Sequence, residues 1–186
     1  MTRRIFVSIT LVSLLGATNA AQQADVSLET NVKAAFVFQF SRYVDWPERA
    51  FSSRSDPFRV CTIAEPEFTR ALDKVLAGET AAGRRMTRSS PESAQEARQC
   101  QILYIARDDW PRGQSLIAAV QNSPVLTIGD APEFLISGGQ ILLVRDENRI
   151  RFDVNLTAVQ MSGVNLRSQL LRIARKVVPK GGGRQQ

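Results

Sequence analysis

The residues of this chain that could carry out chemistry are two cysteines and a few paired carboxylates. The sequence contains no histidine, which removes the commonest general base, the usual nucleophile triads and the commonest zinc ligand together. The carboxylate pairs Asp108-Asp109 and Asp146-Glu147 stand in predicted surface turns. The GxGxxG, GxxxxGK[ST] and GxSxG motifs of nucleotide-binding proteins and hydrolases do not occur. The sequence therefore predicts a protein that is not an enzyme, with no catalytic residues, metal site or cofactor.

The N-terminus has the pattern of a secretory signal peptide. Arg3 and Arg4 precede an apolar-rich run over 5–15, and small residues follow as far as Ala20, which is the order of n-region, h-region and cleavage site. The run is about half the length of the roughly twenty residues that a membrane-spanning helix needs. We expect cleavage after about Ala20, a periplasmic location, and a mature domain over 21–178 with a disordered tail at 179–186. An uncleaved N-terminal anchor is the alternative.

The two cysteines, Cys61 and Cys100, lie in or beside apolar, strand-like runs of the exported part. In an oxidising compartment a pair that can approach usually forms a disulfide. No Cys-x-x-Cys marks a redox-active pair. We therefore expect a structural disulfide between Cys61 and Cys100.

The charge of the chain is modest and scattered. The 24 Lys and Arg against 18 Asp and Glu give +6, and loss of Arg3 and Arg4 with the leader leaves +4. No basic run exceeds two residues and no aromatic residues are interleaved with the basic ones, so nucleic-acid binding is not favoured. A weak attraction to anionic membrane surfaces is the expected consequence.

Helical and strand periodicities alternate along the chain. Apolar residues at spacings of three and four predict a first helix over 27–45. The next predicted strands are 58–64, 84–89, 101–106 and 124–129, and the predicted helices are 66–77, one after Pro91, and 112–121. Strands that alternate with helices indicate βαβ units. The fold class is therefore α/β, a single domain with a largely parallel sheet and helices on both faces.

The last third of the chain predicts an antiparallel hairpin and a terminal helix. A strand beginning at Ile141 turns at 146–148 and returns through Ile150, Phe152 and Val154. We expect Phe152 to pack inward, with Ile150 and Val154 exposed or half-exposed on the opposite face. A short helix over 156–162 and a longer one over 166–178 are predicted to close the domain.

Apolar residues near the end of the chain are candidates for contact with a partner. The predicted terminal helix has more apolar residues than it needs to pack one side against the domain, among them Leu166, Leu170 and Ile173. Phe152 is their neighbour on the hairpin. We expect these four residues to form a partner-binding surface. The alternative, that all four are ordinary core, stays open.

An ordered set of short motifs spans almost the whole mature chain. They are Lys33-Ala34-Ala35-Phe36, Phe40, Trp46-Pro47, Cys61, Cys100-Gln101-Ile102-Leu103-Tyr104-Ile105, Val125-Leu126-Thr127-Ile128-Gly129-Asp130, Phe134, Gly138-Gly139, Asn148, Phe152, Asn155-Leu156, Leu170-Leu171 and Ala174. Together they resemble the YfiR-like family of periplasmic proteins. This chain has one cysteine pair where the best-known type has two.

The resemblance implies a periplasmic repressor. Such a protein binds the sensor region of an inner-membrane diguanylate cyclase and lowers cyclic-di-GMP and biofilm formation. The alternative is a periplasmic small-ligand receptor that feeds another membrane signalling protein, with a concave site at the carboxyl ends of the strands. The sequence leaves open the identity of the partner, the stimulus that relieves repression, the sheet order, and whether the protein is a homodimer.

Overall fold

The protein, described by a computed structural model over residues 15–178 with side chains from Asp25 onward, is a mixed α/β structure. The strands are β1 Val44–Asp45, β2 Phe58–Ile63, β3 Thr80–Ala81, β4 Arg84–Ser89, β5 Ile102–Ile105, β6 Leu126–Gly129, β7 Ile141–Asp146, β8 Arg149–Asn155, β9 Asn165–Leu166 and β10 Lys176–Val178. The helices are α1 Leu15–Phe40, α2 Pro66–Leu76, α3 Ala94–Ala97, α4 Trp110–Val120, α5 Leu156–Ser162 and α6 Ser168–Ile173, with single 3-10 turns at Glu48–Ala50 and Arg107–Asp109.

The main sheet has eight strands in the order β10-β8-β7-β6-β5-β2-β4-β3. Neighbours from β4 through β2, β5 and β6 to β7 are parallel, and β7 pairs with β8 as the antiparallel hairpin. The four strands predicted before residue 130 and the predicted helices 66–77 and 112–121 begin and end within two residues of the observed ones. The prediction of an α/β fold with a largely parallel sheet is confirmed.

Two apolar clusters cover opposite faces of the sheet. One holds Phe40 of α1, Phe68 of α2 and Tyr104 of β5, and the other holds Trp110 and Ile117 of α4. Successive side chains of a strand point to opposite faces, so β5 contributes to both clusters. Helices on both faces are therefore observed, as predicted.

Helix α1 ends at Phe40, five residues before the predicted end. The Ser41 and Tyr43 amides donate to carbonyls three residues back, a tight turn that closes the helix. The next residue, Val44, pairs instead with Leu166 in a separate two-stranded sheet, β1 with β9. The helix also begins earlier than predicted, at Leu15 inside the predicted leader. Residues 1–14 of that leader and the predicted tail 179–186 lie outside the described residues. Within 15–178, no helix is both long and apolar enough to cross a bilayer.

The prediction that Phe152 and its neighbours Ile150 and Val154 lie on opposite faces of the hairpin is wrong. Phe152 is buried as predicted, but Val154 is fully buried beside it and Ile150 packs against the same apolar cluster. Residues two apart on a strand share a face, so these three side chains must lie together. The buried residue of the opposite face is Asp153, which accepts a hydrogen bond from Arg175 Nε at 2.8 Å. The turn is exposed at Glu147 and Asn148.

The predicted terminal helix over 166–178 is also wrong in extent. Helix α6 covers Ser168–Ile173 only, and Ala174 has an extended backbone. The chain then forms β10, parallel to β8, with Val177 opposite Val154. The apolar spacing is helical, but the β-branched residues Val177 and Val178 favour a strand, and they pair with β8.

Candidate functional site

The carboxyl ends of β2, β5 and β6 border a cavity of about 270 Å³. Glu65 follows β2, Arg107 follows β5 and Asp130 follows β6, and the middle of α1, from Val26 to Lys33, borders the same cavity. In an open parallel sheet the carboxyl ends of the strands form the usual ligand-binding edge. This is the position that the receptor alternative requires.

A buried ion pair joins α1 to this edge of the sheet. Lys33 Nζ lies 2.6 Å from Asp130 Oδ2 and 2.7 Å from Glu29 Oε1. The other Asp130 carboxylate oxygen accepts the Arg107 backbone N–H at 2.6 Å, and the Arg107 Nε donates to the Asp130 carbonyl at 3.1 Å. Asp130 therefore fixes both the helix above it and the turn that follows β5.

The titration of this network follows from burial and charge. Burial lowers the pKa of Lys33, but the Asp130 and Glu29 carboxylates outweigh it, so the pKa of Lys33 lies above its usual range. Burial raises the pKa of Glu29, but Lys33 and Arg145 outweigh it, so the pKa of Glu29 lies below its usual range. Lys33 and Glu29 are thus both charged near neutral pH.

Two stacked aromatic residues border the cavity but expose almost none of their surface to it. The rings of Phe68 and Tyr104 are stacked with their centroids 4.1 Å apart, and both residues are almost completely buried. Burial raises the pKa of Tyr104 well above its usual range, and the carboxylates of Asp130 and Glu65 raise it further. The Tyr104 hydroxyl therefore stays neutral over the physiological range.

Two carboxylates at the mouth of the cavity are not part of the buried network. Glu65 and Asp108 are exposed and line the cavity. Neither belongs to any of the ion pairs found among the described residues. Within residues 25–178, no group of three or more His, Cys, Asp or Glu side chains is arranged to hold a metal ion.

The predicted disulfide between Cys61 and Cys100 is present. The two Cα atoms are 5.8 Å apart and both cysteines are buried. The bridge joins β2 to the residue two positions before β5 and lies in the apolar cluster of Trp110 and Ile117, whereas Phe68 and Tyr104 of the cavity belong to the other cluster. Its position is structural and separate from the cavity.

The four predicted partner-binding residues do not share one exposed surface. Phe152 and Leu170 are 2% exposed and Leu166 is 7% exposed, whereas Ile173 is 59% exposed. Phe152 packs edge-on against Phe40 with ring centroids 5.1 Å apart. Only Ile173 is available at the surface, and whether any of the four contacts a partner stays a prediction.

Sequence reasoning assigned no role to Lys33 or Asp130, although both stand in the motifs quoted above. The signals were present: a lysine among the apolar residues of a helix, and an aspartate directly after a buried strand. The partnership of the two could not be predicted, because it depends on which strand end lies beneath α1.

Comparison with known proteins yields one family and two distant structures. Residues 30–175 match the sequence model of a family described as YfiR/HmsC-like. A conserved domain protein from Vibrio cholerae O1 biovar El Tor str. N16961 aligns with TM-score 0.50 and 12% identity, over 64% of this chain and 54% of that chain. The ABC domain in complex with L-Trp from Streptococcus pneumonia aligns with TM-score 0.45 and 12% identity, over 65% and 55%.

The chain thus aligns with little more than half the length of each solved chain. At 12% identity the likeness to the first shows the fold alone.

Proposed function

Because this chain belongs to the YfiR/HmsC-like family, a family of periplasmic regulators of diguanylate cyclase signalling, we propose that it binds the periplasmic sensor region of an inner-membrane diguanylate cyclase and represses it. The observation that carries the proposal is the family match over residues 30–175, which includes the whole hairpin and α6. The family is regulatory rather than catalytic. Repression then lowers cyclic-di-GMP and biofilm formation.

Repression without catalysis acts through a difference in binding. The protein binds the inactive state of the cyclase more tightly than the active state, and the equilibrium shifts by that difference in free energy. A shift from 99% active to 99% inactive requires about 5.5 kcal/mol. An exposed apolar contact on a rigid element is the economical source of such a preference, because few degrees of freedom are lost on binding.

The contact surface we propose is centred on Ile173 at the end of α6. Its 59% exposed side chain stands on a helix that Leu170 anchors in the core. The chain is fixed on both sides of the helix, since the Arg167 amide donates to the Tyr43 carbonyl and the Arg175 amide donates to the Phe152 carbonyl. Of the four predicted partner residues, Ile173 is proposed to contact the cyclase, and Phe152, Leu166 and Leu170 to hold it in place.

A deletion strain tests the proposal directly. Deletion is expected to raise intracellular cyclic-di-GMP, measured by mass spectrometry, and to increase surface attachment. Complementation with the full chain should restore the low level, and a copy that lacks residues 2–20 should not, because it stays in the cytoplasm. Unchanged cyclic-di-GMP after deletion, or full complementation by the leaderless copy, would contradict repression from the periplasm.

A second candidate function, a small-ligand receptor, is favoured by one observation. A cavity of about 270 Å³ with several charged side chains lies at the carboxyl ends of β2, β5 and β6, the edge at which open parallel sheets usually bind ligands. This function is compatible with repression, because a ligand could bind at the cavity while a protein binds at α6.

A further inference from the structure

We propose that the outer edge of the main sheet, at β8 and β10, binds the anionic headgroups of a phospholipid surface. The residues that carry this contact are Arg149, Arg151, Arg172 and Lys176, which together are called the basic edge. The inference goes beyond the proposed function, because it holds whether or not the chain represses a cyclase. It assigns no role to Ile173 or to the cavity at the strand ends.

The first argument is that positive charge is concentrated in the last part of the chain. Residues 149–186 contain eight Lys and Arg but one acidic residue, Asp153, which gives a net charge of +7. The preceding 148 residues contain 16 basic and 17 acidic residues, a net charge of −1. The basic residues form no long run, yet the two parts of the sequence differ strongly in charge. Such an asymmetry indicates a surface for an anionic partner.

The second argument is that the fold brings these charges to one face of the sheet. Arg149 and Arg151 are two residues apart on β8, so they share a face. Asp153 shares the same face, and Lys176 of β10 lies opposite Asp153 in the register. Cross-strand partners lie side by side on one face of a sheet. The three basic side chains therefore lie on the face opposite the apolar cluster that holds Phe152.

The third argument is that the charges of the basic edge are not neutralised within the protein. All four residues are exposed, and none takes part in an ion pair found among residues 25–178. Asp153 is already paired with Arg175. Asp146, opposite Arg149 on β7, and Glu147 in the turn are the other acidic residues of the hairpin. They offset at most two of the four charges, so the basic edge stays positive.

A lipid surface suits this arrangement better than a small anion does. The charges are spread along two strands and the end of α6 rather than gathered around one point, so they match an extended array of phosphate groups. Each Lys or Arg close to an anionic bilayer raises the binding constant about fivefold. The family is periplasmic, so the surface within reach is the periplasmic leaflet of the inner membrane. A chain held there would meet a membrane-bound partner by a search along that surface.

Vesicle co-sedimentation tests the inference on the full chain, exported to the periplasm and purified with its disulfide intact. One set of vesicles is phosphatidylcholine alone, and the other contains about one third phosphatidylglycerol, which is anionic. In about 50 mM NaCl, binding to the anionic vesicles is expected to be at least about tenfold stronger. It should weaken steeply in about 300 mM NaCl, because the screening length shortens.

Two double variants with the same loss of charge locate the contact. Arg151→Gln with Lys176→Gln removes two charges of the basic edge, and both side chains are exposed, so folding should be unaffected. The binding constant for the anionic vesicles should fall about ten- to thirtyfold. Arg70→Gln with Lys74→Gln removes two exposed charges of α2, which packs against α1 and β4. This control should lower the constant less than about threefold, because its charges lie away from the contact.

Three results would overturn the inference. They are no binding to the anionic vesicles at millimolar lipid, equal binding to both kinds of vesicle, and an equal loss of binding in both double variants. The last result would mean that net charge, rather than the basic edge, determines binding. Cyclic-di-GMP in the deletion strain measures repression separately, so a failure of the lipid contact is distinguishable from a failure of the proposed function.

Discussion

Lys33 and Asp130 are 97 residues apart in the sequence, yet Lys33 Nζ lies 2.6 Å from Asp130 Oδ2. A second pair, Arg88 with Asp73, has the same 2.6 Å separation between Nε and Oδ1. The two pairs differ in burial, because the Asp130 side chain is 8% exposed and the Asp73 side chain is 48% exposed. The protein therefore contains its own control for the energetic effect of burying an ion pair.

Asp130→Asn is expected to destabilise the protein far more than Asp73→Asn. The amide keeps an acceptor for the Arg107 N–H but leaves the Lys33 ammonium short of a countercharge, a change that costs about 2 kcal/mol or more in a largely buried pair. Asp73→Asn should cost less than about 1 kcal/mol, because exposed pairs contribute little. Urea denaturation followed by circular dichroism measures both. Equal losses of unfolding free energy would show that burial of the Lys33–Asp130 pair has no energetic effect.

Glu29 should make the stability of the protein depend on pH in the acid range. Its pKa in the folded state is lower than in the unfolded chain because Lys33 and Arg145 outweigh its burial. The stabilising contribution is therefore complete above the unfolded pKa of about 4.3 and is lost as the pH falls through the folded pKa. The free energy of unfolding of the wild type should exceed that of Glu29→Gln by up to about 1 kcal/mol at pH 7. This difference should vanish well below pH 4. Denaturation curves at several pH values test this, and a difference independent of pH would contradict it.

The sheet was predictable from the sequence because each strand has a local signal. The run 102–106 is apolar throughout and is bounded by Gln101 and Arg107, which is typical of a strand buried on both faces. The hairpin turn at 146–148 is likewise local. These features depend on the order of residue types along a few positions, so they do not require knowledge of which elements become neighbours.

The site and the end of the chain were not predictable in the same way. Lys33 and Asp130 meet only because α1 lies over the end of β6, and Val177 belongs to a strand only because β8 offers an edge for pairing. The apolar spacing from Leu166 to Val178 is that of a helix, and only the pairing of the last residues with β8 makes them a strand. Contacts distant in the sequence decide such segments, and one sequence does not contain the pairing information.

Loss of the disulfide should lower stability without altering the cavity. The bridge spans a separation of 39 residues, for which the loop-entropy model gives on the order of 4 kcal/mol. Cys61→Ala with Cys100→Ala is therefore expected to lower the free energy of unfolding by about 2–4 kcal/mol in urea. The cavity should keep its geometry, because the bridge lies in the opposite apolar cluster from Phe68 and Tyr104. Two free thiols in non-reducing mass spectrometry of the periplasmic protein would contradict the bond itself.

Ile173→Asp is expected to abolish repression while leaving the protein folded. The side chain is 59% exposed, so the substitution opens no cavity, but a charge would replace the proposed central apolar contact. Loss of such a contact costs about 2 kcal/mol or more, which weakens binding to the cyclase about thirtyfold. In the deletion strain, this variant should leave cyclic-di-GMP near the level of the deletion although its periplasmic abundance, measured by immunoblot, equals that of wild type.

The matched control is Ile136→Asp, which places the same charge at an isoleucine that is 87% exposed in the loop after β6. Ile136 belongs to a surface beside α5 that the proposed contact does not use, so this variant should restore low cyclic-di-GMP as wild type does. Repression by both variants would remove Ile173 from the contact surface. Loss of repression in both, at normal abundance, would mean that apolar exposure in general, rather than the end of α6, determines binding to the cyclase.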